Sequence, residues 1–369
     1  MGLANIDNKR LNRLDEIEVL RGIAASAIVL YHMWALGGFQ GVIPLVDQIS
    51  NYLGIGVPLF FAISAFSLLY GYSTKIFDEQ NLKKFYVRRY FRLAPLFYVM
   101  LVVYLIEAFY VWGAKYSLSN IILNMTFMFQ LVPSQHQSIV WAGWSLGIEW
   151  VFYLCFPLVV LTTRSKKLLI TVFVAFLMIS VGYSSLTAAV VQADSSLDYM
   201  SIMKHFVYFL LGALVFICRP YIEIIKAKCA WLKNLDIIIL IASVSLFVIL
   251  ERYIPKDIVS CLLFFTLMSS AYIGFSKLLN NPFTRLLGRT SYGLYLLNPI
   301  AIVLLQRMGL YEFIGSLMPN SAIWFLVSSV ISFLVIVVGS VLAYYLIEQP
   351  GIRLGQRLLD YKKKTTREG

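Results

Sequence analysis

EVLRGIAASAIVLYHMW, residues 18–34, is an apolar segment that carries an arginine at Arg21 and a histidine at His32. In an α-helix, at ~100° and ~1.5 Å per residue, eleven positions make three turns plus about 20° and rise about 16 Å. Both side chains therefore share one face. The separation is about half of a hydrocarbon core ~30 Å thick. If the segment crosses a bilayer, the arginine lies near one surface and the histidine lies deep inside.

The composition requires such a bilayer. The chain has 369 residues, 60% hydrophobic and 14% charged, with a mean hydropathy of +0.77, whereas soluble domains carry roughly 25% charged residues. The expected fold is an all-α polytopic membrane protein. Apolar windows of about 20 residues fall at 19–36, 52–73, 93–112, 143–163, 168–190, 201–218, 235–253, 257–275, 291–308 and 322–347. These ten windows leave no room for a separate soluble domain. The expected organisation is an N-terminal tail over 1–18, one transmembrane domain over 19–350 and a basic C-terminal tail over 351–369. Lys9, Arg10 and Arg13 ahead of the first window resemble a signal peptide, but no small-residue cleavage pattern follows, so a retained anchor is expected.

Charge sets the direction. With both termini in the cytoplasm, 26 of the 31 lysines and arginines fall on the inner side, and Lys115, Lys204, Arg252, Lys256 and Arg307 remain outside. That is a strong positive-inside bias. The net charge of +12 thus marks a membrane face and needs no nucleic acid; an anionic cytosolic ligand or anionic lipid headgroups would be drawn to it. The run SNIILNMTFMFQLV, residues 119–132 before Pro133, is too short to span. Crossing there would also put Arg164, Lys166 and Lys167 outside, so an interfacial or re-entrant piece is expected. The four cysteines and three histidines show no metal-ligand spacing. No metal is expected.

Polar groups within apolar segments are costly and therefore informative. His32 either hydrogen-bonds within the bundle or accepts a proton at a buried reaction centre. Arg21 alone would be an interfacial anchor, but its shared face with His32 suggests a common cavity. In NLKKFYVRRYFRLAP, residues 81–95, a helix brings Arg88 and Arg89 close to Arg92. This is either a topological stop or a phosphate clamp, because guanidinium forks match phosphate oxygens. In WAGWSLGIEWVFYLCFP, residues 141–157, Ser145, Glu149 and Tyr153 recur every four residues as a polar stripe, and Trp144 belongs to an interfacial aromatic belt. Glu149 at that depth needs a partner or a wet pocket. In LGRTSYGLYLLNPI, residues 287–300, Ser291, Tyr295 and Asn298 share a face, and Pro299 deprives the Tyr295 carbonyl of its helical donor.

LRG separated by nine residues from His32, GIGVPLFFAISAF at 54–66, RRYFRLAP at 88–95, WSLGIEWVFYLCFP at 144–157, GRTSYGLYLLNP at 288–299 and IEQP at 347–350 stand in the order found in the membrane acyltransferase-3 family. The chain resembles that family over nearly its whole length. The resemblance implies ten helices in a bacterial inner membrane. It also implies transfer of an acyl group, usually acetyl, from acetyl-CoA or another acyl-CoA to a hydroxyl of an extracytoplasmic glycan such as O-antigen, lipopolysaccharide or exopolysaccharide. The family's arginine and histidine map to Arg21 and His32, its arginine pair to Arg89 and Arg92, and its tryptophan–serine–leucine motif and glutamate to Trp144, Ser145, Leu146 and Glu149. At Asn298 the family commonly has histidine; asparagine hydrogen-bonds but is no base at neutral pH. Some members carry a fused soluble hydrolase-like domain. No such domain is expected here, so transfer is expected within the membrane domain.

Combining both readings, Arg21, Arg88, Arg89 and Arg92 are expected to hold the CoA phosphates and His32 to be catalytic. Glu149 is expected to orient His32 or hold the sugar, and Trp144, Ser145 and Tyr153 to bind the acceptor. Tyr295 and Asn298 are expected to donate hydrogen bonds to the thioester oxygen. The competing expectation is a carrier of a sugar, lipid or anion, which ten spans and internal ionisable groups would also suit; no internal repeat supports it. Sequence leaves the oligomeric state open.

Overall fold

A computed structural model describes residues 2–132, 135–190, 199–318 and 320–368. The side chains before residue 15, after residue 360, and at 51, 112, 184, 187–190 and 230 lie outside that description, as do Pro133, Lys9, Arg10 and Arg13 of the first tail and Lys362, Lys363, Lys364 and Arg367 of the last. No strand occurs among the described residues. The helices are α1 (Gly2–Leu36), α2 (Pro44–Leu53), α3 (Gly56–Tyr72), α4 (Glu79–Trp112), α5 (Leu118–Met125), α6 (Trp144–Thr162), α7 (Lys166–Val190) and α8 (Ile202–Lys228). They continue with α9 (Asp236–Leu250), α10 (Lys256–Ile273), α11 (Pro282–Arg289), α12 (Ser291–Arg307), α13 (Leu310–Leu317), α14 (Ser321–Ala343), a π-helical turn (Tyr344–Glu348) and α15 (Gln349–Glu368).

Every apolar window expected from sequence is helical. Eight described helices are long and apolar enough to cross a membrane, and α12 with α13 passes the same test as a pair bent by 61°, which brings the count up to nine if the pair is one span. The tenth window is α3, apolar but only 17 residues long, or about 26 Å. Large apolar side chains such as Val102, Leu158, Met178, Ile241 and Val338 stand exposed around the outside of the bundle. Such a surface suits lipid and would be a liability in water. The protein is an all-α polytopic membrane protein.

Local chemistry sets the helix ends that matter to the site. Asp78 caps α4 by accepting from the Gln80 amide at 2.9 Å, and Gly113 ends it in a left-handed conformation at φ +62°. Between these caps α4 is 34 residues long, about 51 Å, which exceeds the hydrocarbon thickness. Its first turns, with Arg88, Arg89 and Arg92, therefore extend toward the basic end. The outer run does not cross: α5 has eight residues, about 12 Å, and a 3₁₀ turn at Met128–Leu131 follows. Buried Asn124 ties this excursion down, its Oδ1 accepting from Ser138 Oγ at 2.7 Å and the Ile139 amide at 3.0 Å.

Helix α1 runs through the middle, packed on α3, α11 and α12. Its close approach to α11 depends on glycine. A Cβ at Gly22 would stand 2.8 Å from the Gly288 nitrogen, so the two backbones meet without side chains between them. This contact brings the face carrying Arg21 and His32 against the start of α12. The π turn ending at Glu348 adds a residue to the helical repeat and rotates Glu348 inward, where it is fully buried.

Candidate active site

The sequence-derived polar residues gather around two cavities stacked along α1. The first lies toward the basic end and is lined by Arg21, Arg89, Arg92, Glu149, Tyr153 and Ser291, among others. Glu149 Oε1 accepts from Ser64 Oγ at 2.7 Å and from Tyr153 OH at 2.5 Å. Arg92 Nη1 pairs with Glu348 Oε2 at 3.2 Å. Two groups in this chamber lack partners: Arg89 Nε and Ser291 Oγ are buried with no hydrogen bond. Three guanidiniums face two carboxylates, so the chamber keeps an excess positive charge. Its volume is about 90 Å³, well below the roughly 300 Å³ at which ligand pockets begin. It fits a narrow arm or a phosphate, not a nucleotide.

The second cavity, of about 730 Å³, is lined by His32, Trp144, Tyr199, His205, Asp257 and Tyr295, among others. It lies at the starts of α6, α8 and α10, the end of the bundle opposite the basic helix termini. Here the orientation of His32 is determined. Pro299 has removed the donor to the Tyr295 carbonyl, and Asn298 Nδ2 takes its place at 2.7 Å, also donating to the Leu294 carbonyl at 2.9 Å. Carbonyl oxygens only accept, so the amide nitrogen must face them and Oδ1 must face His32. Oδ1 stands 2.5 Å from His32 Nδ1. It can only accept, which puts the imidazole proton on Nδ1 and leaves Nε2 as the lone-pair nitrogen. Asn298 thus fixes the ring orientation of His32 and leaves Nε2 as its basic nitrogen.

The expectation that Asn298 and Tyr295 donate to a thioester oxygen does not fit this geometry. Both Asn298 donors are spent on backbone carbonyls, and the Tyr295 hydroxyl is held by the Ala142 carbonyl at 2.9 Å and Ser145 Oγ at 2.8 Å. Asn298 is a positioning residue for His32. Tyr295 and Val57 line both cavities, and the Tyr295–Ser145 contact lies between them, so Ser145 acts as part of a partition. Glu149 and Tyr153 line the arginine chamber and not the cavity of His32, beside which they were expected to orient the histidine and bind the acceptor. Trp144 is where expected, on the outer cavity. Arg88 departs from its neighbours. It is exposed and lines a separate groove with Lys75, Lys84 and Asp360. Arg88 and Arg89 point ~100° apart on α4, and only Arg89 and Arg92 turn into the bundle.

Sequence reasoning assigned nothing to Glu348, Ser64, His205 or Asp257. Glu348 had a signal, an acidic residue at the end of an apolar window in the IEQP motif. His205 is buried, donates through Nε2 to the Tyr199 carbonyl at 2.6 Å and packs on Trp144. Asp257 accepts from Tyr208 OH at 2.9 Å.

An Asn298→Leu variant keeps the branched side-chain shape but gives Nδ1 no acceptor. Loss of the favoured tautomer should lower kcat about tenfold or more with KM for the acyl donor within threefold. Steady-state kinetics on the purified variant check this, and an unchanged kcat removes Asn298 from the site.

A sequence profile described as "Acyltransferase domain" (Acyl_transf_3) matches residues 14–345. The chain belongs to the acyltransferase-3 family. The matched stretch contains Arg21, His32, Arg89, Arg92, Glu149 and Asn298, and stops just before Glu348. Family relatives include a candidate O-acetyltransferase of Staphylococcus aureus (strain COL), 26% identical over 332 residues that cover 78% of this chain and 50% of the relative. The peptidoglycan O-acetyltransferase OatA of Listeria monocytogenes is 29% identical over 189 residues, 44% of this chain and 27% of that protein. A candidate acetyltransferase of Acidianus two-tailed virus is 29% identical over 157 residues, 42% of this chain and 44% of its own length. The chain spans about half the length of the first of these relatives. No solved structure matches it.

Proposed function

We propose that this protein is an O-acyltransferase of a bacterial cytoplasmic membrane, moving an acyl group, typically acetyl, from cytosolic acyl-CoA to a hydroxyl of an extracytoplasmic glycan. The observation that carries the proposal is the stacking of a cationic chamber and an open, aromatic-lined cavity on one helix, with a histidine prepared as a base on the open side. Family membership and the named activities of the relatives support it.

Acyl-CoA enters from the basic face. The groove of Lys75, Lys84 and Arg88, about 460 Å³, receives the nucleotide phosphates, and Arg21, Arg89 and Arg92 guide the pantetheine arm. The 16 Å between Arg21 and His32, about eleven residues of helix, is within reach of extended pantetheine. For the thioester to meet His32, the Tyr295–Ser145 contact has to open. His32 Nε2 then removes the proton from an acceptor hydroxyl, whose oxygen attacks the thioester carbonyl. The tetrahedral adduct collapses with C–S cleavage, the thiolate takes the proton from His32, and the products are an ester and CoA thiol. Glu149, held by Ser64 and Tyr153, balances charge in the lower chamber.

Purified protein in detergent, given acetyl-CoA, a glycan bearing free hydroxyls and no ion or substrate gradient, should release CoA thiol above the uncatalysed rate. Absence of turnover with intact CoA binding would favour a carrier.

A further inference from the structure

The outer cavity does not end at His32. A second cavity of about 760 Å³ adjoins it and shares Ala35, Leu36, Trp141 and Met200 with it. Each alone falls within the roughly 300–1,000 Å³ of a complete ligand pocket, so together they exceed what one small hydroxylated molecule would fill. Trp141, half exposed, stands at their junction, where an indole can stack on the apolar face of a sugar ring. In the far cavity the polar groups of Glu107, Tyr116 and Gln306 face an apolar wall of Leu36, Ile300 and Val303, a mixture that suits the hydroxyls and the apolar ring faces of a sugar.

We propose that the acceptor binds as an extended glycan of at least two sugar residues, the reacting residue beside His32 and Trp144 and its neighbours past Trp141 in the far cavity. This rests on the acyltransferase reading for the role of the reacting end, but it makes a separate claim about binding. Tyr116 and Gln306 line only the far cavity and are exposed, so their removal does not threaten folding.

Saturation-transfer NMR with protein in lipid nanodiscs tests the proposal without turnover. The probes are methyl glycosides of glucose and of N-acetylglucosamine carrying one, two or four β-1,4-linked residues. In at least one series the four-residue glycoside should bind tenfold or more tightly than the one-residue glycoside. Tyr116→Ala with Gln306→Ala should abolish most of that gain and leave the one-residue affinity within threefold. Equal affinity across chain lengths, no binding by any probe, or a gain that survives both substitutions would overturn the proposal. So would a dodecyl glycoside that competes as well as the four-residue probe, since it would assign the far cavity to an alkyl chain. Acetyl-CoA turnover by the wild-type protein is measured in parallel. Chain-length-dependent binding without turnover would retain the subsite and reject the enzyme reading; turnover without it would do the reverse.

Discussion

Replacing His32 by alanine should lower acetyl transfer by at least 100-fold while the protein still folds. Positioned general bases contribute about 10²–10⁴-fold, and the tautomer imposed by Asn298 leaves Nε2 as the one basic nitrogen of the ring. The loss should appear in kcat. KM for acetyl-CoA should stay within threefold, because His32 does not line the arginine chamber. Thermal stability should change little, since His32 itself lines the outer cavity, and water entering the space left by the imidazole can reach Asn298 Oδ1. Radiolabelled acetyl transfer, combined with a fluorescence melt, separates these quantities. Full activity in a folded His32→Ala protein would remove the histidine from the chemistry.

The second large effect divides two arginines that sequence treats alike. Arg89 has a buried Nε without a partner, whereas Arg92 is paired with the fully buried Glu348. Removing Arg89 should therefore act mainly on the ligand. Hydrogen bonds to charged groups contribute roughly 1.5–3 kcal/mol, so Arg89→Ala should raise KM for acetyl-CoA by about 10- to 100-fold with a near-normal melt. Removing Arg92 strands a buried carboxylate. Breaking such a pair costs about 3–5 kcal/mol, and partial exposure of Arg92 places the expected loss nearer the lower figure. Arg92→Ala combined with Glu348→Gln should recover much of the stability without recovering affinity for CoA. A melt for Arg92→Ala equal to that of the wild type would mean that the ion pair does not hold the π turn in place. Equal effects of both single substitutions on KM and melting would reject the division of roles.

What sequence revealed, and what it hid, follows from the range of the interactions involved. Spans depend on local hydropathy, and each of the ten windows is helical. The shared face of Arg21 and His32 follows from the helical repeat alone. The freed carbonyl of Tyr295 was equally legible, because Pro299 removes a donor at a fixed distance along the chain. What fills the gap was not: the amide of Asn298 does so, and this turns Asn298 from an expected donor to substrate into the partner of His32. Arg92 and Glu348 lie 256 residues apart, and no local pattern pairs them. The divergence of Arg88 depends on which side of α4 meets the bundle, which periodicity cannot specify when cations occupy neighbouring positions. The partition at Tyr295 and Ser145 joins α6 to α12, and only tertiary packing shows that one expected cavity is two. His205 had no sequence partner, and its place beside Trp144 comes from the packing of α8 on α6.

The central claim is transfer through the bundle, from a donor at the basic face to an acceptor at the other. Proteoliposomes with the protein in one orientation, acetyl-CoA confined to the side of the basic face, a glycan confined to the opposite side and no ion gradient test it most directly. CoA thiol should accumulate on the donor side while the acetyl ester appears only on the glycan across the membrane, and His32→Ala should abolish both. Ester and thiol formed on the same side, or intact acetyl-CoA recovered across the membrane, would contradict the account.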